Sequence, residues 1–396
     1  MSSVEAHNDL GLKDEDIAAV RQPLERASLL PPEAYTDTRI FQLERERIFA
    51  HSWLPVCHTS QLKESGSYVT RVLVGEPVIA LRDREGQIKV MSNVCRHRNT
   101  TLASGCGTVK GNRIICPYHG WTYGLDGKLL AAPFMDQAEC FERRDVKLPQ
   151  FRTEVWHGLV FVNFDEDAEP LAQQIAGLEP DVGPYRFEDM EAVEMGRRTM
   201  PWNWKVSLEN FSEAYHQPWV HPSTADHEFP ATKAEYRDVT GPYGCFSLYQ
   251  KDRQEVQTFY PPVAGLDERF LCSATVFNIY PYTHAITDAA TPLWLDFNIH
   301  SEREHELVWT LLLPAGAQAS PDFPEKFEAL KAFFVRILDE DIGVTTGVGL
   351  GVHSRFIRPG RLSQMEKTLH QFHNWWLDAM LGNTTREADA KWDDLA

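Results

Sequence analysis

The sequence predicts an α+β protein in which a small antiparallel β domain precedes a larger domain with a mixed or antiparallel sheet flanked by helices. Short segments rich in β-branched residues, SYVTRVLV, PVIALRD and IKVMSNV, are separated by turn sequences, and Asp126-Gly127 is a strong hairpin signal. Beyond Trp156, strand and helix patterns are interspersed. At 396 residues the chain is also longer than one hydrophobic core usually supports, which favours two domains.

The domain boundaries follow from where these patterns change. The first 44 residues have two largely helical stretches, divided at Pro31-Pro32, and we expect this segment to pack on the larger domain. Residues 45–160 are predicted to form the small β domain and residues 161–396 the larger one. In the larger domain, SLENFSEAYHQ and PEKFEALKAFFVRILDEDIG are helix candidates, and aromatic-rich stretches such as CFSLYQ and LWLDFNI are typical of strands.

Composition and charge exclude several classes of protein. The formal net charge of −18 disfavours nucleic acid and anionic membranes as partners, because both attract basic surfaces. No apolar run approaches the ~20 residues of a membrane-spanning helix, and the start MSSVEAHNDL lacks the order of a signal peptide. Seven widely spaced cysteines do not form a disulfide framework, so we expect a cytoplasmic protein.

Two short motifs each pair a cysteine with a histidine. CRH supplies Cys95 and His97, and CPYH supplies Cys116 and His119. Such tight spacing is usually directed by a metal, which makes four unrelated residues a poor explanation. One alternative is a closed structural zinc site with Cys₂His₂ ligands. The other is a Rieske [2Fe–2S] cluster, in which two Cys hold one iron and two His hold the other, so that each motif supplies one ligand to each iron.

The residues around these motifs favour the cluster. Gly105, Gly107, Gly111 and Gly120 allow tight turns in which backbone amides approach the sulfurs. The stretch CRHR…CPYHGWTYGLDG resembles the Rieske domain of the ring-hydroxylating oxygenases, the α subunits of Rieske non-haem iron oxygenases. This resemblance implies a [2Fe–2S] cluster bound by the two Cys/His pairs.

A second candidate metal site lies in NWKVSLENFSEAYHQPWVHPST. Glu213 and His216 are three residues apart and are expected to share a helical face. On an unbroken helix His221 would point elsewhere, but Pro218 is expected to end or distort the helix so that His221 converges with His216. Two histidines and one carboxylate form the ligand set of Fe(II) sites that activate O₂, so a carboxylate from another segment is required.

The late helix candidate supplies that carboxylate. Its apolar positions define a stripe at helical spacing, formed by Phe327, Leu330, Phe334, Ile337 and Leu338. Asp341 falls within the stripe, whereas Glu340 lies well off it and Asp339 nearly opposite. A carboxylate at a buried position must be paired or metal-bound, so Asp341 is predicted as the third ligand. A solvated helix end is the alternative, and Glu209 is a weaker candidate ligand.

The pattern E-N-x-x-E-x-x-H-x-x-x-x-H resembles the catalytic-domain motif of the same family, and the likeness runs from about Pro31 to the C-terminal helix. It implies a mononuclear iron bound by His216, His221 and an Asp from the acidic pair Glu340-Asp341. It also implies head-to-tail homotrimers, or multiples of them, in which Glu213 joins His216 to His119 of the next subunit. Many ring-dihydroxylating members carry Asp at the position of Glu213, whereas Glu is familiar among demethylases and quaternary-ammonium oxygenases.

The resemblance implies a terminal oxygenase that uses O₂ to hydroxylate or oxidatively demethylate a small organic substrate, either an aromatic compound or a quaternary amine. Electrons would come from a separate NAD(P)H-dependent reductase, with or without a ferredoxin, since no flavin or nicotinamide fingerprint is found. The alternative is a Rieske electron-transfer protein without oxygenase activity. No substrate-binding residue is predicted. The strand aromatics are interpreted mainly as core, with a substrate pocket as the alternative: Tyr243, Phe246, Tyr249, Phe277, Tyr280, Tyr282 and Trp294.

Overall fold

The computed structural model describes residues 8–251 and 258–382. These residues form two compact units. The small unit is Ala50–Leu171. The large unit contains the described residues up to Phe49 and those from Ala172 onward. In the described part of the chain, no helix combines the length and the apolar character that crossing a bilayer requires.

The small unit contains ten strands in two antiparallel sheets. The strands are β1 Leu54–His58, β2 Ser67–Leu73, β3 Glu76–Arg82, β4 Ile88–Ser92, β5 Cys106–Thr108, β6 Arg113–Ile115, β7 Thr122–Gly124, β8 Leu129–Ala131, β9 Gln150–Trp156 and β10 Leu159–Asn163. The seven-stranded sheet has the order β1-β10-β9-β4-β3-β2-β5, and β6-β7-β8 form the other. The predicted hairpin at Asp126-Gly127 joins β7 to β8, with Gly127 at φ 76°. The small antiparallel β domain is thus confirmed.

The large unit is built on one seven-stranded antiparallel sheet of order β11-β17-β16-β15-β14-β13-β12. Its strands are β11 Met190–Met200, β12 Ala234–Tyr236, β13 Tyr243–Tyr249, β14 Ser273–Ile279, β15 Thr283–Thr287, β16 Leu293–Ser301 and β17 Glu304–Pro314. Of the two predicted alternatives, mixed or antiparallel, the described sheet is antiparallel throughout. β13 and β14 are buried along their whole length, which matches their nearly continuous apolar sequences.

Eleven α-helices accompany the sheets in the described residues. They are α1 Asp14–Val20, α2 Glu33–Thr36, α3 Thr38–Glu44, α4 Leu171–Gln174, α5 Glu179–Val182, α6 Trp204–Phe211, α7 Gln217–Val220, α8 Ala225–Glu228, α9 Glu268–Leu271, α10 Phe323–Gly351 and α11 Lys367–Met380. The N-terminal segment is less helical than predicted, because α1 ends at Val20 and the chain then turns before the β-bridge residue Ser28.

A buried ion pair joins the N-terminal segment to the helices of the large unit. The side chains of Glu44 and Lys205 are both 0% exposed and form a direct salt bridge. The indole nitrogens of Trp204 and Trp376 also donate to the Glu44 carboxylate, at 3.1 and 2.7 Å. A buried ion pair is tolerated only when its remaining hydrogen-bonding capacity is satisfied, and these indoles do so. The pair thereby fixes α6 against α3 and α11.

The helix predicted across residues 207–217 is interrupted. α6 begins at the cap Asn203, whose side chain accepts from the Lys205 amide at 3.0 Å, and it ends at Phe211. A separate helix, α7, starts after His216 with Pro218 in its first turn. The prediction that Pro218 ends a helix is therefore wrong. A proline in a first turn loses no hydrogen bond, so here it begins one.

The long helix α10 extends ten residues beyond Asp341, to Gly351. The alternative of a solvated helix end at residues 339–341 is therefore wrong. Asp341 is buried with 5% exposure, and Asp339 is exposed on another side of the helix. The burial that the apolar stripe predicted for Asp341 is confirmed.

Candidate metal centres

The two Cys/His motifs form loops with the same backbone pattern in the small unit. The Cys95 amide donates to the Thr100 carbonyl at 2.9 Å, and the Cys116 amide donates to the Trp121 carbonyl at 2.7 Å. In each loop the cysteine carbonyl also accepts from the amide four residues on, that of Asn99 or Gly120. Both of these residues have positive φ, 53° and 72°, which Asn and Gly tolerate best. The two motifs, which match in residue type, therefore also share one pattern of backbone hydrogen bonds.

The side chains of the loops sort by type. The two thiols, Cys95 and Cys116, are buried with 0% and 2% exposure. The rings of His97 and His119 lie with centroids 4.6 Å apart, and His97 stacks on Trp121 at 4.8 Å. Nδ1 of His97 is buried without a hydrogen-bond partner, which is costly unless another group, such as a metal, occupies it.

The grouping of these donors fits two metal ions. The two thiols belong to one buried cluster, and the two imidazole rings are neighbours. In a two-iron Rieske cluster two Cys hold one iron and two His hold the other, so a pair of thiols and a pair of imidazoles is the donor set that such a cluster requires. Across the described residues, a group of three or more His, Cys, Asp or Glu side chains that could hold a single metal ion occurs at one place, in the large unit, where the ligand atoms all lie within 4.8 Å of one another.

That compact group in the large unit consists of His216, His221 and Asp341. Nε2 of His221 lies 2.9 Å from Oδ1 of Asp341, and Nε2 of His216 lies 3.5 Å from the same oxygen. The Asn210 amide donates to that oxygen at 3.0 Å. Two imidazole nitrogens and one carboxylate oxygen thus converge on one point. This donor set fits a divalent iron with open coordination positions.

Each histidine of this group is held from behind by a second acid. Nδ1 of His216 lies 2.5 Å from Oε1 of Glu213, and Nδ1 of His221 lies 2.8 Å from Oε2 of Glu340. Burial acts to lower the pKa of His221, but its hydrogen bonds to Asp341 and Glu340 outweigh this effect and raise that pKa. Carboxylates on Nδ1 orient metal-binding imidazoles and leave Nε2 free to ligate.

The structure differs from two details of the geometry that the sequence predicts. Glu213 and His216 do not share a face of one α-helix, because α6 ends at Phe211 and both residues lie in the turn before α7. They meet because Oε2 of Glu213 accepts from the amides of Tyr215 and His216. Glu209, the weaker candidate ligand, lies outside the metal group and binds the Tyr35 hydroxyl at 2.7 Å and His373 Nε2 at 2.9 Å.

The metal group forms part of the wall of a cavity of about 670 Å³. The lining is mainly apolar, and among its described residues there is no Lys or Arg. Apart from Glu213 and Asp341, its acidic residues are Glu228 and Asp288. The Asp288 carboxylate accepts hydrogen bonds from the amide and hydroxyl of Thr291. Apolar walls with a few polar groups around a reactive centre are typical of small-molecule sites.

Most aromatic residues that line this cavity are not among the seven strand aromatics that were considered for a substrate pocket from the sequence. Of the seven strand aromatics, Phe246 alone is among the described lining residues, and the other six are buried core. Sequence reasoning missed six aromatic lining residues: Phe211, Phe229, Phe259, Trp309, Phe333 and Phe334. The apolar stripe of α10 could have indicated part of the cavity wall. It includes Phe334 and Leu338, which face the cavity instead of a closed core.

Models of two protein families match the chain. The model described as the Rieske [2Fe-2S] domain matches residues 52–147, which contain both Cys/His loops. The model described as the ring hydroxylating alpha subunit, catalytic domain, matches residues 187–382, which contain the metal group and its cavity. The first match decides between zinc and a [2Fe–2S] cluster in favour of the cluster.

Three curated relatives illustrate the range of similar proteins. The carnitine monooxygenase oxygenase subunit of Acinetobacter baumannii is 35% identical over 198 residues, 50% of this chain and 53% of the relative. The glycine betaine monooxygenase oxygenase subunit of Pseudomonas aeruginosa is 33% identical, covering 54% and 48%. The chlorobenzene dioxygenase alpha subunit of a Cupriavidus strain is 34% identical, covering 48% and 44%. The chain thus spans about half the length of the curated relatives it matches.

Solved structures match over nearly the whole chain. A quaternary ammonium Rieske monooxygenase in complex with L-carnitine is 25% identical, with a TM-score of 0.73 over 90% of this chain and 96% of the other. Naphthalene 1,2-dioxygenase from a Rhodococcus species is 20% identical, with a TM-score of 0.75 over 90% and 95%. The second likeness establishes a shared fold.

Proposed function

Because the chain belongs to the family of ring-hydroxylating α subunits that carry a Rieske [2Fe–2S] domain, we propose that it is the terminal oxygenase component of a multicomponent system. Its cofactors are those of the two domains, a [2Fe–2S] cluster and a mononuclear iron. The single observation that supports the oxygenase activity is the convergence of His216, His221 and Asp341 at the wall of a mainly apolar cavity.

The ligand assignment follows the donor chemistry. Cys95, Cys116, His97 and His119 would hold the cluster, and the group of His216, His221 and Asp341 would hold the mononuclear iron. When bound, the two centres supply electron transfer and O₂ activation, respectively. The chain's own residues keep the sites in order. Glu213 and Glu340 contact the Nδ1 atoms of the two histidines, and both Nε2 atoms lie on the side of Asp341, where the iron would be held.

The cavity supplies orientation and exclusion of water. Its apolar walls hold an organic substrate beside the iron ligands. The side-chain amide of Asn210 also lines the cavity and donates a hydrogen bond to Oδ1 of Asp341. For a monooxygenation, O₂ takes two electrons from the reductase and two from the substrate carbon. One oxygen atom enters the substrate, and the other leaves as water with two protons. On a methyl group bound to nitrogen or oxygen, the hydroxylated carbon departs as formaldehyde, which is an oxidative demethylation.

Two substrate classes remain from the sequence, aromatic compounds and quaternary amines. The cavity favours the quaternary amine, because its aromatic rings and the acids Glu228 and Asp288 suit a cationic head group. The named substrates of two relatives, carnitine and glycine betaine, are quaternary amines, and that of the third is chlorobenzene. Glu instead of Asp at position 213 is the sequence feature that favours the same branch.

A screen of substrate-stimulated O₂ uptake tests this function. The protein with both metals, a reductase and NAD(P)H would be offered quaternary amines, aromatic hydrocarbons, aromatic acids and methyl ethers. Stimulation coupled to a hydroxylated or demethylated product is expected with one class, and His216→Ala should abolish it. NAD(P)H oxidation that reduces the cluster but never consumes O₂ with any class would instead favour the alternative, a Rieske electron-transfer protein.

We propose further that the protein works as a head-to-tail homotrimer, in which Glu213 connects His216 to His119 of the next subunit. Exposed apolar side chains support this arrangement at both ends of the proposed contact. Trp219, in α7 between the two iron-binding histidines, is 85% exposed. In the small unit, Tyr118 stacks on His119 and is 53% exposed, and Phe134 is 99% exposed. Large exposed aromatics of this kind mark interaction surfaces.

Mixing two inactive variants tests transfer between subunits. His97→Ala removes a cluster ligand and His216→Ala removes an iron ligand, so each homogeneous protein should lack activity. After co-assembly, a neighbour with an intact cluster can serve a subunit with an intact iron, and activity should return. Co-assembled but inactive mixtures would contradict transfer between subunits.

The remaining assignments belong to the same proposal. The partner is a separate NAD(P)H-dependent reductase, with or without a ferredoxin, and the location is the cytoplasm. The domains are an N-terminal segment 1–44, a Rieske domain 45–160 and a catalytic domain 161–396. The compact units, which separate after Phe49 and Leu171, support a division close to these limits.

A further inference from the structure

Glu340 contacts the second histidine of the metal group in the way that Glu213 contacts the first. Its Oε2 lies 2.8 Å from Nδ1 of His221, while the adjacent residue Asp341 lies 2.9 Å from Nε2 of the same ring. Two consecutive residues of α10 therefore hold both nitrogens of one imidazole. A neutral imidazole carries its proton on either nitrogen, and the hydrogen bond at one nitrogen decides which.

Both oxygens of the Glu340 carboxylate have partners. The Thr224 hydroxyl donates to Oε2 at 2.6 Å, and Nε of Arg336 lies 3.3 Å from Oε1. Arg336 also donates to the Ser223 hydroxyl at 2.8 Å. The residues that immediately follow His221 in the chain are thus tied to α10 through Glu340 and Arg336. The carboxylate therefore has a partner on each of its oxygens while it contacts the histidine.

We propose that Glu340 is a positioning residue for the mononuclear iron. It keeps the proton of His221 on Nδ1, so that Nε2 is free to ligate, and it fixes the segment 221–224 on the helix that carries Asp341. The spacing between two of the three iron ligands is then set by one helix. This inference rests on the proposed function, because it takes His221 and Asp341 as iron ligands.

The competing explanation is that Glu340 only forms a stabilising ion pair with Arg336 on the same helix. Such pairs between residues four apart on an exposed helix surface contribute little to stability. The two explanations differ in what Arg336→Gln should do. If the ion pair is the main role, Arg336→Gln and Glu340→Ala should behave alike. If Glu340 positions His221, Arg336→Gln should stay close to wild type in iron affinity.

The experiment uses the full chain with its cluster in place and the mononuclear iron removed. Fe(II) is titrated into wild type, Glu340→Ala, Glu340→Gln, Arg336→Gln and the control Glu328→Gln, an exposed acid on the same helix. Loss of an outer partner of a metal-binding histidine typically costs about 10–100-fold in metal affinity, and we expect a loss in this range for Glu340→Ala. Glu340→Gln keeps an acceptor oxygen and should lose less, and Glu328→Gln should lose nothing.

A second readout is independent of iron and of turnover. The ¹⁵N shifts of His221 in the iron-depleted chain, assigned by comparison with His221→Ala, report which nitrogen carries the proton. At alkaline pH, where the ring is neutral, we expect the Nδ1-protonated form in wild type and Arg336→Gln, and a mixture or the other form in Glu340→Ala. Circular dichroism and the cluster absorption verify folding, and Glu340→Gln supplies the comparison should Glu340→Ala misfold.

Unchanged iron affinity together with unchanged His221 shifts in Glu340→Ala would overturn the inference, as would equal losses in Glu340→Ala and Arg336→Gln. Failure of the proposed function looks different. In that case wild type binds Fe(II) and shows the expected shifts, but consumes no O₂ with any substrate class.

Discussion

Oε1 of Glu213 lies 2.5 Å from Nδ1 of His216, and Nε2 of the same ring points to Asp341 at 3.5 Å. One imidazole thus connects an acid behind the metal group with the metal group itself. Oε2 of Glu213 accepts from the Tyr215 and His216 amides, so contacts within one chain hold the carboxylate in place. This relationship makes Glu213 the most informative position for separating metal binding from electron transfer.

Glu213→Gln should keep both metals and lose turnover by about 100-fold, in the upper range for residues behind a metal ligand. The amide retains the shape of the side chain but lacks the charge that holds the imidazole proton and forms the bridge. Iron and sulfide content, reduction of the cluster and product per reducing equivalent are measured. Asp339→Asn, an exposed acid on α10 paired with Arg198, is the control. Normal turnover in Glu213→Gln would contradict the bridging role.

His216→Ala should reduce the iron content from three atoms per chain, two in the cluster plus one mononuclear, to two. The cluster should remain, because its proposed ligands belong to the small unit. Metal analysis and the EPR spectrum of the reduced cluster measure the two sites separately. His300→Ala, at an exposed position, should retain all three irons. A full third iron in His216→Ala would rule out this residue as a ligand.

Tyr123→Phe should lower the reduction potential of the cluster. The Tyr123 hydroxyl accepts from the Arg96 amide at 3.1 Å and is therefore oriented to donate to Sγ of Cys95, 3.3 Å away. A hydrogen bond to a ligand sulfur stabilises the additional electron of the reduced cluster, so its loss disfavours reduction. Spectroelectrochemical titration measures the shift. Tyr260→Phe, in the large unit, should show none, and an unchanged or raised potential in Tyr123→Phe would contradict this role.

Trp219→Glu should weaken the proposed trimer. Placing a charge where a large apolar side chain is covered costs several kcal/mol unless the charge is paired. Sedimentation velocity over a range of concentrations should show more monomer than in wild type. The iron content per chain should not change, since Trp219 is outside the metal group. If Trp219→Glu assembles as wild type does, this face does not belong to a subunit interface.

The acid sensitivity of the large unit should depend on His305. Burial lowers the pKa of this histidine from 6.5 to about 4. Below pH 6.5 His305 binds a proton in the unfolded chain, whereas in the folded chain it stays neutral down to about pH 4. The contribution of neutral His305 to the free energy of unfolding is therefore fully present above pH 6.5. It is lost as the pH falls toward 4, and the loss is at most on the order of 3 kcal/mol.

His305→Gln removes this contribution, so its free energy of unfolding should depend less steeply on pH across that window. The His305 ring lies 2.9 Å from the Ser207 hydroxyl and 3.1 Å from the Trp202 carbonyl, and Gln offers similar hydrogen-bonding groups. Denaturant titrations at several pH values measure the slope, with the exposed His300→Gln as control. Equal slopes in wild type and His305→Gln would show that His305 does not contribute.

The fold class and the segments proposed to hold the metals could be predicted from local patterns. Cys and His at fixed short spacing specify a loop whatever surrounds it, and the loops at Cys95 and Cys116 are closed by their own backbone bonds. The burial of Asp341 followed from helical periodicity, because α10 is long and its register does not drift over about four turns, from Phe327 to Asp341. These features depend on neighbours along the chain.

Other features depended on residues distant in sequence. Whether Pro218 ends a helix or begins one was decided by the turn before it, which Glu213 stabilises through two amides. The position of Glu340 behind His221, across 119 residues, has no local signal. The cavity also has no local signal, because an apolar stripe has the same sequence pattern whether it faces a closed core or a substrate cavity.

The sequence by itself determined the kinds of donor atoms, their grouping into two sites, and the alternation of strands and helices, because each is written within a few residues. The tertiary structure alone decided which acid meets which histidine and which aromatic residues enclose the cavity. Those distances are fixed by the packing of α6 and α7 against α10, where a shift of one helical turn would exchange Glu340 for another side chain.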